Sequence, residues 1–451
     1  MKITFLGATG TVTGSKYLVT TEKSKVLVDC GLFQGLKQLR LKNWKPLPVD
    51  PTTIDVVVLT HAHIDHTGYL PLLVKNGFSG KVYCSEATQA LCEILLPDSA
   101  YLQEEEARYA NLRGFSKHSP ALPLYTQEDA ERALELLVPV PFGQEIKIAD
   151  GVTVQFSPAG HILGASLVMM RSEGKSILFS GDIGRPNDPL MLPPAIVRQA
   201  DYLVLESTYG DRLHDKEDPE IKLAEIINRT YQRGGILVVP VFAVGRAQEL
   251  LYYIQSLKNK RQIPDIPVYL NSPMAVDATA IFMHHCDIHK LSPDQCKMVA
   301  NSARMVNSVE ESRSLNEIGH PVIILSASGM ASGGRVVHHI KAFGPDPRNT
   351  ILFAGYQAVG TRGAAMLDGA ESVKIHGEYV PINAEVDFIS NLSAHADYSE
   401  IMEWLHHFEK PPVTTFIVHG EPVAADAMRH HIEEKLHWEV VVPDYLETIE
   451  L

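Results

Sequence analysis

Short apolar runs recur along this chain, and many of them stop at a histidine or a carboxylate. Asp55 to Leu59 is β-branched and too short for a helix, so it reads as a buried strand. It leads directly into Thr60-His61-Ala62-His63-Ile64-Asp65-His66-Thr67-Gly68. The same design recurs where a strand from Lys25 ends at Asp29, and where Val152 to Ser157 runs on to Gly160-His161. It appears again where Ser176 to Ser180 runs on to Gly181-Asp182, and where a strand from Asp201 ends at Glu206. A first strand opens the chain. The stretch Gly7 to Gly14 after it lacks the G-x-G-x-x-G spacing of a dinucleotide loop and predicts a hairpin turn. Helices are expected over 69–76, 85–112 and 127–137, the last with Thr126 as its N-cap. Residues 113–124, with Lys117 and His118, read as a loop without chemistry.

From about residue 225 the pattern changes. Apolar strands beginning at Gly235, Val268, Val322 and Thr350 alternate with helical segments, which predicts a mostly parallel sheet. Their ends carry Arg246, Ser328, Arg335 and Arg362 among glycines and small hydroxyls. Ligands of open α/β sheets bind beyond the carboxyl ends of strands, and arginines there suit phosphate. His284, His285, His338 and His339 fall in predicted helices and read as surface or packing residues. The chain then returns to the strand-to-histidine design, with His395 after a strand from Ala384 and His419 after a strand from Val413.

Composition narrows the class. A length of 451 residues gives room for two to three domains. The 45% hydrophobic and 21% charged fractions are those of a globular protein. No apolar run approaches the ~18 to 20 residues of a membrane span. The N-terminus lacks a signal-peptide pattern. Five scattered cysteines form no Cys-x-x-Cys pair, so no disulfide framework is expected and a reducing cytoplasm is. The net charge of −14, from 40 basic and 54 acidic residues, argues against an extended basic nucleic-acid face. A local groove served by bound cations and a few arginines stays open.

The chemistry lies in the strand ends. His61, His63, Asp65 and His66 put four metal donors within six positions, and His61 and His63, two apart on an extended chain, face one way. Imidazoles and carboxylates together suit Zn²⁺, and also Mn²⁺ or Fe²⁺. Two donors forward and two just beyond leave room for two ions.

The His-x-His-x-Asp-His cluster, with Asp29, His161 and Asp182 in order, resembles the signature of the metallo-β-lactamase superfamily. Glu206, His395 and His419, in their order and contexts, resemble the further motifs of the β-CASP nucleases. That branch includes the endonuclease subunit of the pre-mRNA cleavage-and-polyadenylation specificity factor and its compact prokaryotic homologues. The resemblance covers essentially the whole chain. It implies an αββα metallo-β-lactamase sandwich over residues 1–208, an inserted α/β β-CASP domain of mostly parallel sheet over 209–378, and completion of the sandwich over 379–451.

For chemistry, the resemblance implies a zinc-dependent ribonuclease with two Zn²⁺ ions per chain, Mn²⁺ being an alternative occupant. His61, His63 and His161 hold one ion, Asp65, His66 and His419 the other, with Asp182 bridging and Asp29 orienting the ligands. A zinc-activated hydroxide, oriented by Asp65, attacks phosphorus. His395, held by Glu206, protonates the leaving 3′-oxygen, so a 5′-phosphate and a 3′-hydroxyl result. A histidine at position 419 goes with RNA in this family, so single-stranded RNA is the expected substrate, cut internally. Arg246, Ser328, Arg335 and Arg362 are expected to grip it. A 5′→3′ exonuclease on the same site, or a small-molecule ester or phosphodiester hydrolase, is the alternative. A catalytically silent scaffold is argued against by the full set of seven donors. No KH-like domain before residue 1 and no long C-terminal extension is expected, no membrane partner is, and a homodimer is allowed.

Overall fold

A computed structural model describes residues 1–114 and 118–451; Lys117, read above as part of a loop, lies outside the described residues. The chain divides into two units, Met1–Leu213 with His395–Leu451, and His214–Ala394.

The first unit is built on two seven-stranded sheets. One runs in the order Thr448–Glu450, Lys2–Phe5, Tyr17–Thr20, Lys25–Val28, Val56–Val58, Lys81–Cys84, Leu137–Pro139. The other runs Val440–Val441, Thr414–Val418, Tyr202–Glu206, Lys175–Phe179, Ser166–Ser172, Val152–Pro158, Glu145–Ala149. Period-two alternation decides which side chains meet. Val26, Val28, Val56 and Val58 of the first sheet join Val152, Val154, Phe156, Phe179, Val204 and Phe416 of the second in one buried cluster. Two sheets therefore pack face to face. Leu27 and Val57, pointing the opposite way, are equally buried, so the outer face of this sheet is covered there as well. This is the sandwich expected from the sequence.

Most strands that end in polar residues are parallel neighbours, whereas Val152–Pro158, which leads to His161, pairs antiparallel on both sides. Lys25–Val28 pairs in parallel with Val56–Val58. Tyr202–Glu206 lies between Lys175–Phe179 and Thr414–Val418, parallel to both. Parallel pairing puts their carboxyl ends on one edge, where the next residues converge.

The second unit has a six-stranded sheet, in the order Arg304–Met305, Val268–Leu270, Ile323–Ser326, Leu237–Pro240, Thr350–Ala354, Glu385–Ile389. Every pairing in it is parallel. The sequence reading ended the insert at 378. Glu385–Ile389, however, is an edge strand of this sheet, paired along its length with Thr350–Ala354. The second unit therefore continues to Ala394. Among the described residues no helix is long and apolar enough to cross a membrane.

Candidate metal and catalytic centre

Backbone geometry at the strand ends sets the site. Asp29 and His419 both adopt left-handed conformations, φ 58° and 50°, which non-glycine residues enter only when surroundings hold them. His419 is held by its N–H bond to the Ala8 carbonyl, 2.8 Å, within the Gly7–Gly14 turn. The chain after it must pass Ser207 so closely that a Cβ on Gly420 would sit 2.1 Å from the Ser207 Oγ. Likewise His161 follows Gly160, whose backbone meets Gly184 at a distance that leaves no room for a side chain there.

These constraints bring the predicted donors together in two groups. The ligand atoms of His61, His63, His161 and Asp182 lie within 4.8 Å of one another, and so do those of Asp65, His66 and His419. In the first group His61 Nε2 is 3.1 Å and His161 Nε2 3.2 Å from His63 Nδ1. The second has His66 Nε2 3.2 Å and Asp65 Oδ2 3.3 Å from His419 Nε2. Asp182 faces both: Oδ2 is 3.3 Å from His61 Nε2, and Oδ1 is 3.3 Å from His66 Nε2.

The donor set fits metal ions. A tetrahedral zinc site with bonds of about 2.0–2.1 Å needs donor–donor edges of about 3.3–3.4 Å. Four donor pairs of the first group, His61–His63, His63–His161, His61–Asp182 and His161–Asp182, are 3.1–3.6 Å apart. Asp182 Oδ1 is a buried atom without a hydrogen-bond partner, an arrangement costly unless a cation satisfies it. Burial, with the His66 charge beside it, pushes His61 down to about 3, and burial takes His63 to about 4. Both are therefore neutral and ligand-competent at pH 7. His66 goes the other way. Burial opposes its charge, but Asp182 and Asp29 outweigh that and hold its pKa well above the ordinary value.

A layer of hydrogen bonds aims these rings. Asp29 Oδ2 accepts from His66 Nδ1 at 2.8 Å, turning Nε2 to the site. The Thr60 hydroxyl donates to Asp29 Oδ2 at 2.9 Å and so can only accept from His61 Nδ1, 3.1 Å away. Thr208 repeats the device, donating to the His419 carbonyl and facing His419 Nδ1 at 3.1 Å. Sequence reading missed both threonines. Thr60 adjoins His61, but nothing in the pattern distinguishes either from ordinary turn residues.

His395 stands beside these groups, its Nδ1 3.1 and 3.2 Å from the Glu206 carboxylate oxygens and its Nε2 4.0 Å from Asp182 Oδ2. Glu206 is fully buried and pinned by the backbone N–H groups of Ile183 (2.6 Å) and Thr208 (3.2 Å). Burial opposes a charge on His395, yet the Glu206 carboxylate, with Asp182 behind it, lifts its pKa to about 9.

The residues expected to grip phosphates are committed elsewhere in the second unit. Arg246 is buried and ion-paired with Glu249. Arg335 donates to Asn271 Oδ1 (2.8 Å) and to the carbonyls of Val306 (3.0 Å) and Asn307 (2.5 Å). Arg362 holds the carbonyls of Lys374, Ala331 and Ser332 at 2.7–3.1 Å. Ser328 Oγ accepts from the Ser332 N–H. The loops at these strand ends leave carbonyls that need donors, and Arg335 and Arg362 supply them.

A further group, Cys286, His289 and Cys296, has metal-binding residue types. The Leu291 N–H bonds His289 Nδ1 at 3.2 Å, so Nε2 carries the proton and donates to the Phe282 carbonyl at 3.1 Å. That nitrogen has no lone pair for an ion, and two thiols alone do not complete a zinc site.

Residues 9–225 match the metallo-β-lactamase superfamily. Residues 247–366 match the β-CASP domain, and residues 379–443 a Zn-dependent metallo-hydrolase RNA specificity domain. The chain is 35% identical over 429 residues to Ribonuclease TTHA0252 of Thermus thermophilus, covering 93% of each. It is 31% identical to Transcription termination factor FttA of Methanosarcina mazei, over 100% of this chain and 72% of that protein. It is also 31% identical to Cleavage and polyadenylation specificity factor 73 of Drosophila melanogaster, over 93% of this chain and 60% of that protein. A crystal structure of a protein of unknown function from Enterococcus faecalis V583 shares the fold, with TM-score 0.56 and 14% identity over 100% of this chain and 99% of that one.

Proposed function

Because this chain belongs to the β-CASP nucleases of the metallo-β-lactamase superfamily, we propose that its metal-dependent hydrolysis of RNA is internal cleavage of single-stranded RNA at two Zn²⁺ ions. Mn²⁺ is the alternative occupant. His61, His63 and His161 would hold one ion, Asp65, His66 and His419 the other, with Asp182 shared. The observation that carries this reading is Asp182, which turns one oxygen to each group at 3.3 Å. Bound there, such ions supply a water of pKa near ~7 and neutralise the phosphodiester charge.

The remaining steps belong to side chains. Asp65, at the edge of the second group, orients the attacking water. Glu206 occupies His395 Nδ1 and leaves the proton at Nε2 pointed toward the metal groups. His395 is the general acid. It gives that proton to the leaving 3′-oxygen, so the products are a 3′-hydroxyl and a 5′-phosphate. Glu206, fixed by two backbone N–H groups, stabilises the imidazolium before transfer and keeps the ring from rotating.

A circular single-stranded RNA tests internal cleavage, since it has no ends. Linear products carrying 5′-phosphate are expected. Degradation of linear RNA alone, with circles left intact, would show that the enzyme requires an end.

A further inference from the structure

Between Asp29 and Asp50 the chain has no carboxylate but holds Lys37, Arg40, Lys42 and Lys45, in a molecule whose net charge is −14. Lys37, Arg40 and Lys45 are exposed. Among the described residues none of the three has a side-chain ion pair or hydrogen bond. Trp44 stands among them 56% exposed, with Leu36 at 40% and Leu41 at 50%. A large exposed indole beside uncompensated cations calls for a partner that is anionic and flat-faced.

This segment is not a loose loop. The buried Asn43 clamps Phe33 through both amide atoms, accepting from its N–H at 2.9 Å and donating to its carbonyl at 2.8 Å. Lys42 lies over the Tyr445 ring at 3.9 Å and the Phe33 ring at 5.0 Å. One residue before Phe33, the Leu32 N–H bonds the Ile64 carbonyl at 3.0 Å, and the Cys30 N–H bonds the His66 carbonyl at 2.7 Å. The turn bearing Trp44 is thus fixed to the backbone that carries Asp65 and His66. A preordered surface loses little entropy on binding.

Single strands bind where cations track the backbone and aromatic rings stack bases. A lipid surface would need an amphipathic helix of useful length, whereas the helices here, Lys37–Arg40 and Leu41–Trp44, have four residues each. We propose that residues 36–45 form a docking platform for single-stranded RNA beside the metal groups, with Trp44 stacking a base and Lys37, Arg40 and Lys45 contacting phosphates. It rests on the ribonuclease reading of this same unit.

The sequence has three tryptophans, and Trp404 and Trp438 are buried at 6% and 9% exposure, so quenching by a stacked base reports on Trp44. Titrate a single-stranded oligouridylate into the metal-loaded chain in a His395→Ala background that slows cleavage. Quenching is expected, and Trp44→Ala should abolish it and weaken Kd about tenfold. A Lys37→Glu/Arg40→Glu/Lys45→Glu variant should weaken binding further and reduce the log Kd against log salt slope by about 2. If the wild-type chain cuts this RNA while both variants keep the parent Kd and slope, the platform is wrong and the ribonuclease reading stands. A wild-type chain that neither binds nor cuts RNA overturns both. Quenching by phosphatidylserine vesicles but not by RNA overturns the platform in favour of a membrane.

Discussion

At the scale of single residues, hydrogen-bonded threonines set the direction in which imidazole lone pairs point. Thr60 has one hydroxyl proton, committed to Asp29, so its oxygen accepts a hydrogen bond from His61 Nδ1–H, which keeps the ring's proton there and leaves Nε2 bare. Thr60→Val keeps the shape and removes this constraint, and partners of this kind are worth about 10- to 100-fold in metal affinity. We expect zinc affinity to fall by that factor, measured by competition with a chelating dye; an unchanged affinity would mean His61 is oriented by packing alone. For His395 the expectation is kinetic. His395→Ala should keep its metal and lose about 10²- to 10⁴-fold in kcat, the usual share of general acid–base catalysis. Glu206→Gln tests the acid more finely. An acid works below its pKa and fails above it, and the Glu206 carboxylate is what raises His395 toward about 9. The alkaline limb of the pH–rate profile should therefore move to lower pH in Glu206→Gln. A limb that stays in place would assign it to another group.

At the scale of elements, the centre depends on how closely its turns approach one another. A Cβ on Gly184 would lie 1.9 Å from the Gly160 carbonyl, and neither backbone can yield without moving His161. Gly184→Ala should cost about 3 kcal/mol, near the upper range for overpacking, and should lower metal content with it. Gly333→Ala, where nothing lies within 4 Å, is the control, and urea denaturation compares the two. The same scale explains how much of the centre was legible beforehand. Val56–Val58 and Lys175–Phe179 announce themselves as strands, and parallel strands must deliver the residues at their carboxyl ends to one edge. A run of strands ending in His61, Asp182, Glu206 and His419 is therefore legible as a converging set. The local partners of Arg335 and Arg362 were not legible in this way. Whether a guanidinium meets a phosphate or a neighbouring carbonyl depends on loop paths such as 306–307 and 331–332, which leave no mark in composition or period. The unit to which one returning strand belongs was illegible for a related reason. Glu385–Ile389 reads as a strand in either unit, and only its pairing with Thr350–Ala354 assigns it.

At the scale of the whole molecule, metal binding and folding are one equilibrium, because donors from position 61 to position 419 meet only in the folded chain. Ions that bind the folded state alone stabilise it by about 2.7 kcal/mol at a hundredfold excess over Kd. Chelation should therefore lower the Tm of the sandwich unit, and tryptophan fluorescence reports on that unit specifically, since Trp44, Trp404 and Trp438 all lie within it. The size of the drop should depend on pH. Without ions His66 is held protonated, because Asp182 and Asp29 raise its pKa well above 6.5. The proton on its site-facing nitrogen must leave when an ion binds, so binding releases a proton and strengthens as pH rises toward that folded-state pKa. The Tm gap between the metal-loaded and chelated protein should widen from pH 6 to pH 8. His66→Ala should flatten that dependence, while Cys286→Ser and Cys296→Ser should leave both the gap and the metal content unchanged. A gap that narrows with rising pH would contradict the proton linkage. A loss of metal in either cysteine variant would place an ion at Cys286, His289 and Cys296, which the His289 tautomer argues against.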